Sequence, residues 1–341
     1  MKKIVNIRKK IDKLDRKIIQ SLEKRFKEVL DIKRLKKANL LEIYQSNRQN
    51  EVLANNQKTL KHSEDKRFYE NIYQTIFLES QKYQYYRVCL LGQNTSNSGS
   101  PTIYQYLAKK YNVNLTYETA NIGSGAEFFN YLQGLKIGKF DALNITNPFK
   151  KYAFLIYDEL DEASLVSESS NIVAYENSRY HCYNTDYYGL ANLLKRQNIE
   201  VKDKKILILG NGATAKSIYH LLLSSTLDIT VCLRSDSVHE RNFLKTIYYE
   251  DLTSLKPFDI VINATPVVDI VELEAELDLI YLDLNYVSKI TIPPHVRYIS
   301  GFELLIEQAI LNMQIFFPLQ NIELNDFEYQ ELLAILQGGL E

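Results

Sequence analysis

Residues 204–222 read KKILILGNGATAKSIYHLL. Four apolar residues, Ile206 to Leu209, lead into Gly210, Gly212 and Ala215 at G-x-G-x-x-A spacing, and an apolar run of helical period follows. That succession predicts a strand, a tight turn and a helix, the setting in which a glycine pattern signals a dinucleotide site. Gly210 permits the turn, Gly212 lets the backbone approach a pyrophosphate at the helix N-terminus, and Asn211 and Ala213 complete the loop. The next apolar run, DITVCLR (228–234), ends on Arg234 and then Ser235, where an NAD site would place an acidic residue. A guanidinium and a hydroxyl at that point suit a 2′-phosphate, so the expected cofactor is NADP.

Outward from this stretch the strand-to-helix rhythm recurs at YYRVCLLG (85–92), KFDALNIT (139–146), FDIVINATP (258–266) and LIYLDLNY (279–286). Alternating short β runs and helical patterns imply a parallel α/β architecture. Residues 1–84 differ in kind, for they contain no Gly or Pro. Apolar residues there recur at helical spacing, which predicts a first helix over 6–37, about 45 Å long at the usual rise, a second around 46–57 and a third over 64–84. The expected organisation is multidomain: an all-α region at 1–84, an α/β domain at 86–192 plus 302–341, and a Rossmann nucleotide-binding domain at 193–301.

The net charge of −1 hides an asymmetry: residues 1–84 hold 21 Lys/Arg against 11 Asp/Glu, and the remainder holds 20 against 31. A basic helical segment suits nucleic acid, a membrane surface or an anionic small molecule, and charge sign alone does not choose among them. Cys89, Cys182 and Cys232 are odd in number and widely spaced. That spacing argues against a disulfide framework, shows no metal-ligand pairing and fits a reducing compartment. No apolar run approaches 18 residues and no export signal opens the chain, so the expectation is a cytoplasmic protein with no membrane partner.

Three polar stretches stand at strand ends or in the loops beyond, where open α/β sheets bind ligands. They are SGSP (98–101), NITNPFK (144–150) and YNTDYYG (183–189). Taken singly, Lys150 reads as a solvated lysine and Asp186 as a helix N-cap. Taken together, in this order and ahead of the glycine loop, the stretches resemble the S-x-S-P, N-x-T-x-P-x-K and N-T-D-x-x-G motifs of the shikimate dehydrogenase family. The resemblance extends to INATP (262–266), DLNY (283–286) and GFELLIEQA (301–309), covering about residues 86–315. The sequence departs from the family at Ile172, Ala213 and Leu233.

The resemblance implies NADP-dependent reduction of 3-dehydroshikimate to shikimate, with Lys150 and Asp186 as the catalytic pair. It also implies that Ser98 and Ser100 bind the substrate carboxylate, and that Thr146, Asn171, Tyr286 and Gln308 contact the ring and its hydroxyls. No metal enters this chemistry.

In the helical region, Arg8, Arg25, Lys36, Arg48, Gln49, Ser80 and Gln84 stand in a pattern that resembles the all-helical chorismate mutase family over residues 4–84. The family's acidic residues in the second helix are here Gln45 and Gln49. Arg25 interrupts a heptad seam of Ile4, Ile11, Ile18 and Ile32. Arg25 and Lys36 lie 11 residues apart, close to three turns, so they share a face about 16 Å apart. Arg8 lies about 25 Å from Arg25 along the same helix and off that face. If all three cations serve one site, Arg8 comes from a second chain. The resemblance therefore implies chorismate rearrangement to prephenate in a homodimer, with no nucleic-acid partner. The alternative for this region is a non-catalytic dimerising or effector-binding module.

Overall fold

The computed structural model describes residues 2–38, 46–58, 66–234, 243–265, 278–285 and 293–338. The chain forms two compact units, Met1–Arg87 with Asn112–Thr116, and Val88–Tyr111 with Tyr117–Glu341. No helix among the described residues is long and apolar enough to cross a membrane.

The first unit carries helices α1 (Lys2–Ala38), α2 (Ser46–Gln57) and α3 (Lys66–Gln84). The three helices fall where the spacing expects them, and α1 begins four residues earlier because nothing before Asn6 breaks it. Burial on α1 starts only in its second half: residues 3–24 are all exposed, whereas Val29 and Lys33 are buried. Phe26 meets Tyr83 of α3 edge-on, with ring centroids 4.6 Å apart. Ile4, Ile7, Ile11, Leu14 and Ile18 thus present an apolar face that no described residue of the unit covers.

The second unit contains two six-stranded sheets. The first is built from β1 (Tyr86–Gly92), β2 (Leu115–Asn121), β3 (Ala142–Ile145), β4 (Glu159–Leu160), β5 (Ile172–Glu176) and β6 (Arg179–Tyr183), in the order β2-β1-β3-β5-β6-β4. It is mixed, not parallel as the rhythm of runs implies. β1 pairs β3 in parallel, but β5 runs antiparallel to both β3 and β6. The cause is a two-residue hairpin at Asn177 and Ser178, whose φ values of 51° and 65° match the right-handed twist of the flanking strands.

The second sheet comprises β7 (Ile206–Leu209), β8 (Ile229–Leu233), β9 (Thr246–Tyr248), β10 (Ile260–Asn263), β11 (Ile280–Asp283) and β12 (Arg297–Ser300), in the order β12-β11-β10-β7-β8-β9. All five pairings are parallel. β7 lies between β8 and β10, so the glycine loop leaves the sheet at its switch point, where open α/β sheets receive ligands.

Helices α8 (Thr185–Arg196), α10 (Gly301–Phe316) and α11 (Asp326–Gly338) pack together beside these sheets. Their contact holds two buried glutamates. Glu307 accepts from Arg196 Nε at 2.6 Å, and Glu303 accepts from the Gln197 amide. Burial raises both carboxyls above the ordinary glutamate range, and these donors only partly offset it.

The folded chain therefore holds these protons more tightly than the unfolded chain, and the associated stability is present at low pH and lost as pH rises through the folded pKa. Glu303→Gln removes that titration. Thermal unfolding of the variant should gain on the wild type as pH is raised from about 4.5 toward neutrality. A difference that stays flat across that range contradicts the assignment.

Candidate active site

The loop after β3 delivers Lys150 at the start of the short helix α6 (Lys150–Phe154), and the first turn of α8 delivers Asp186. Lys150 Nζ donates to Asp186 Oδ2 at 2.6 Å; the lysine side chain is 14% exposed and the aspartate 2%. Neither single-residue reading from the sequence holds, because Lys150 is not solvated and the N-cap of α8 is Asn184. Asp186 instead turns inward and gathers donors. Its Oδ1 accepts from the amides of Asn171 at 2.9 Å and Gln308 at 3.1 Å, and its Oδ2 accepts from Thr214 Oγ1 at 3.2 Å as well as from Lys150. Four donors match the acceptor capacity of one carboxylate.

Gln308 reaches Asp186 because residue 189 is glycine. A Cβ there would lie 2.9 Å from Gln308 Cγ, so a side chain at that position would push α10 away from α8.

Two cavities meet at the Lys150–Asp186 pair. One, of about 100 Å³, is lined by Ser98, Ser100, Asn144, Thr146, Asn171 and Gln308 together with the pair. The other, of about 270 Å³, faces the second sheet and is lined by Thr214, Thr265 and Asn285 together with Thr146, Lys150, Asp186 and Gln308. The structure thus brings six residues singled out in the sequence, Ser98, Ser100, Thr146, Asn171, Asp186 and Gln308, to one cavity with Lys150. Tyr286 lies outside the described residues.

The six side chains are engaged differently. Ser98 Oγ donates to Ser100 Oγ at 3.1 Å and accepts from the Ser100 backbone N–H, so the two hydroxyls are held side by side. Asn171 is 5% exposed, and its amide hydrogens go to Thr185 Oγ1 and Asp186 Oδ1, which fits it to position the aspartate. Behind the cavity, Asn144 donates to the hydroxyls of Tyr104 and Tyr117, and Asn312 donates to Tyr104. Burial raises both phenols, Tyr117 well above its ordinary value, so they act as neutral hydrogen-bonding groups and not as bases. The motif reading misses Tyr104, Tyr117 and Asn312, which lie in none of the quoted stretches, and passes over Asn144, inside NITNPFK, and Thr214, at an unspecified position of the glycine loop.

At the glycine loop, Gly210 has φ of 103°, and a Cβ there would also lie 2.6 Å from Thr265 Cγ2. Gly212 is the N-cap of α9 (Ala213–Leu223), and a Cβ on it would meet nothing within 4 Å. The backbone is therefore open to a close ligand in front of the unpaired N–H groups of the first turn. Arg234 directly follows β8 and is exposed, while Ser235 lies outside the described residues. These features fit a dinucleotide carrying an extra phosphate.

In the helical unit, Arg25 donates to Ser80 Oγ and stands 5.8 Å from the centre of the Phe77 ring. Burial lowers the Arg25 guanidinium and the Lys36 ammonium below their ordinary values. Gln84 extends its amide toward the Ser80 carbonyl at 3.5 Å, and its own side-chain oxygen is buried without a partner in the described structure. Arg25, Ser80 and Gln84 are thus brought together. Arg8 stands on the exposed stretch of α1, and Arg48 is exposed and paired with Glu51 at 2.8 Å. The side chain of Gln49, like Gln45, lies outside the described residues.

Residues 7–85 match the family model for chorismate mutase type II, and residues 90–173 match that for the shikimate dehydrogenase substrate binding domain. A shikimate dehydrogenase (NADP(+)) of Pelagibacter ubique is 30% identical over 183 residues, 52% of this chain and 68% of that protein. The shikimate biosynthesis protein AroDE of Chlamydia pneumoniae is 30% identical over 252 residues, 67% of this chain, and the chain spans half (50%) of that relative's length. A crystal structure of a chorismate mutase/shikimate 5-dehydrogenase fusion protein from Clostridium acetobutylicum has a TM-score of 0.64 at 23% identity, covering 75% of this chain and 98% of that one. At that identity the likeness is one of fold.

The start of α8 depends on Asn184, which is fully buried. Its Oδ1 accepts from the Asp186 N–H at 3.0 Å, and its amide reaches Ser167 Oγ at 2.7 Å and Ser217 Oγ of α9 at 3.0 Å. Asn184→Ala removes a cap and strands buried hydroxyls, and denaturant unfolding should register a loss of about 2–4 kcal/mol. A loss under about 1 kcal/mol would show that the cap is dispensable.

Proposed function

Because the chain belongs to the shikimate dehydrogenase family and carries a type II chorismate mutase domain ahead of that region, we propose that it is a bifunctional enzyme of aromatic biosynthesis. One activity is the reversible, NADP-dependent reduction of 3-dehydroshikimate to shikimate, and the other is the rearrangement of chorismate to prephenate. The observation that carries the first is the Lys150–Asp186 pair at the shared wall of a small polar cavity and a larger one facing the glycine loop.

Reduced NADP, when bound, supplies a hydride to the C3 carbonyl carbon. The rest is the work of the chain. Ser98 and Ser100, held side by side, bind the substrate carboxylate. Thr146 and Gln308 contact ring hydroxyls, and Asn171 keeps Asp186 in place. Lys150 Nζ stabilises the oxygen as negative charge grows on it and then donates its proton there. Asp186 fixes the direction of that ammonium. The same lysine takes the proton back in the oxidative direction. Arg234, with Ser235 beyond it, is the proposed 2′-phosphate contact, and Gly210, Asn211, Gly212, Ala213 and Ala215 form the pyrophosphate turn.

The rearrangement of chorismate needs no acid, base or nucleophile, only a cationic cage that holds two carboxylates in the reactive conformer and meets the charge growing on the ether oxygen. Arg25, Arg48 and Arg8 of a second copy are the proposed carboxylate set, with Lys36 and Gln84 toward the ether oxygen, Ser80 as a minor contact and Gln49 toward the hydroxyl. The bare face of Ile4, Ile7, Ile11, Leu14 and Ile18 supports a homodimer through α1, since an apolar stripe of that length calls for cover. The proposed setting is the cytoplasm, supported by three buried cysteines that are not joined in disulfides.

Lys150→Ala should lower the turnover of 3-dehydroshikimate by about 10²–10⁴ while NADP affinity, read by calorimetry, changes little. Unchanged turnover would remove Lys150 from the chemistry.

For the second activity, Arg8→Ala and Arg25→Ala should each abolish the absorbance change of chorismate loss and spare dehydrogenase turnover. Co-expressed, the two variants should regain mutase activity, because a mixed dimer contains one intact site. Failure to complement rules out the shared site, and activity in Arg25→Ala alone rules out the site altogether.

A further inference from the structure

Thr214 fills an unspecified position of the G-x-G-x-x-A motif, yet it is the residue of the glycine turn whose side chain reaches the reacting pair. It is the second residue of α9, so its backbone belongs to the first turn, whose N–H groups face the pyrophosphate position. Its hydroxyl accepts from Lys150 Nζ at 3.1 Å and donates to Asp186 Oδ2 at 3.2 Å. One hydroxyl proton and two lone pairs allow both bonds at once. With the direct 2.6 Å bond from lysine to aspartate, the three groups close a triangle. A β-branched side chain has few χ1 choices, so the position of this hydroxyl follows the backbone of the turn.

We propose that Thr214 is a positioning residue through which the dinucleotide-binding turn sets where the Lys150 ammonium sits. Small movements of the turn on receiving a pyrophosphate are carried by the hydroxyl to the proton donor, so occupancy of one half of the cleft adjusts the chemistry of the other. The inference rests on Lys150 being the proton donor, but its geometry can be tested without turnover.

The test uses the full chain as wild type, Thr214→Val, which keeps the shape and removes both hydrogen bonds, and Thr214→Ser, which keeps the hydroxyl. Each protein is acetylated briefly at one pH, and the ratio of modification at Lys150 to that at its neighbour Lys151 is read by peptide mass spectrometry. The probe is 2′-phospho-ADP-ribose, which carries the pyrophosphate and lacks the nicotinamide ring, and its binding is followed by calorimetry.

Thr214→Val should raise the basal ratio at least about threefold, because the ammonium has lost an acceptor. The probe should change the ratio in wild type and Thr214→Ser but not in Thr214→Val, although all three bind it within about twofold. In turnover, Thr214→Val should lower kcat for 3-dehydroshikimate about tenfold with KM nearly unchanged, and Thr214→Ser should recover most of it. A basal ratio equal in wild type and Thr214→Val overturns the proposal. So does a bound probe that moves the ratio equally in both. Absence of turnover in the wild type would instead defeat the dehydrogenase reading and leave the labelling result to decide the role of Thr214.

Discussion

The Asp186 carboxylate is the constraint around which the second unit is arranged. A carboxylate only 2% exposed carries a heavy desolvation cost unless each lone pair is met, and here the donors come from four separate places in the chain. Lys150 arrives from the loop after β3, Asn171 from the start of β5, Thr214 from α9 and Gln308 from α10. Each of those elements must hold its distance within a few tenths of an ångström for the carboxylate to be satisfied. The buried cap of Asn184 and the glycine at 189 are consequences of that demand. The first holds Asp186 at the start of α8, and the second lets α10 come close enough for an amide to reach it.

Motifs were readable where function is local in sequence. The strand, glycine turn and helix at 204–222, the lysine closing NITNPFK and the aspartate in YNTDYYG all appear as short patterns, and the structure brings them into one cleft. What could not be read was pairing between distant segments. The antiparallel β5–β6 hairpin is signalled only by Asn177 and Ser178, two residues that tolerate positive φ, and its consequence, a mixed sheet, follows from a register no single stretch contains. Tyr104 and Tyr117 read as two more tyrosines among 25, yet they stack at 4.1 Å and support Asn144. Thr214 was hidden for a related reason: its neighbours define the turn, while its own partners lie 64 and 28 positions earlier.

The helical unit meets a polar demand by the opposite route. Asp186 is satisfied by the folded chain alone, whereas Arg25 is half-buried beside the Ser80 hydroxyl and the rings of Phe77 and Tyr73, and the side-chain oxygen of Gln84 is buried with no partner in the described structure. A guanidinium in such surroundings is costly when isolated and binds an anion strongly, because few waters compete for it. The same helix leaves its first 22 described side chains, 3–24, exposed, among them Ile4, Ile11 and Ile18 of the seam that Arg25 interrupts and Ile7 and Leu14 beside it. Under the proposed reading these are two aspects of one incompleteness: among the described residues the seam lacks its cover and Arg25 lacks a carboxylate. In that reading a second copy of α1 would supply the cover and, through Arg8, the remaining charge. In the same reading, a pair that moves a proton is best fixed before the substrate arrives, whereas a site that gathers a dianion gains from holding Arg25 against a neutral hydroxyl and a ring.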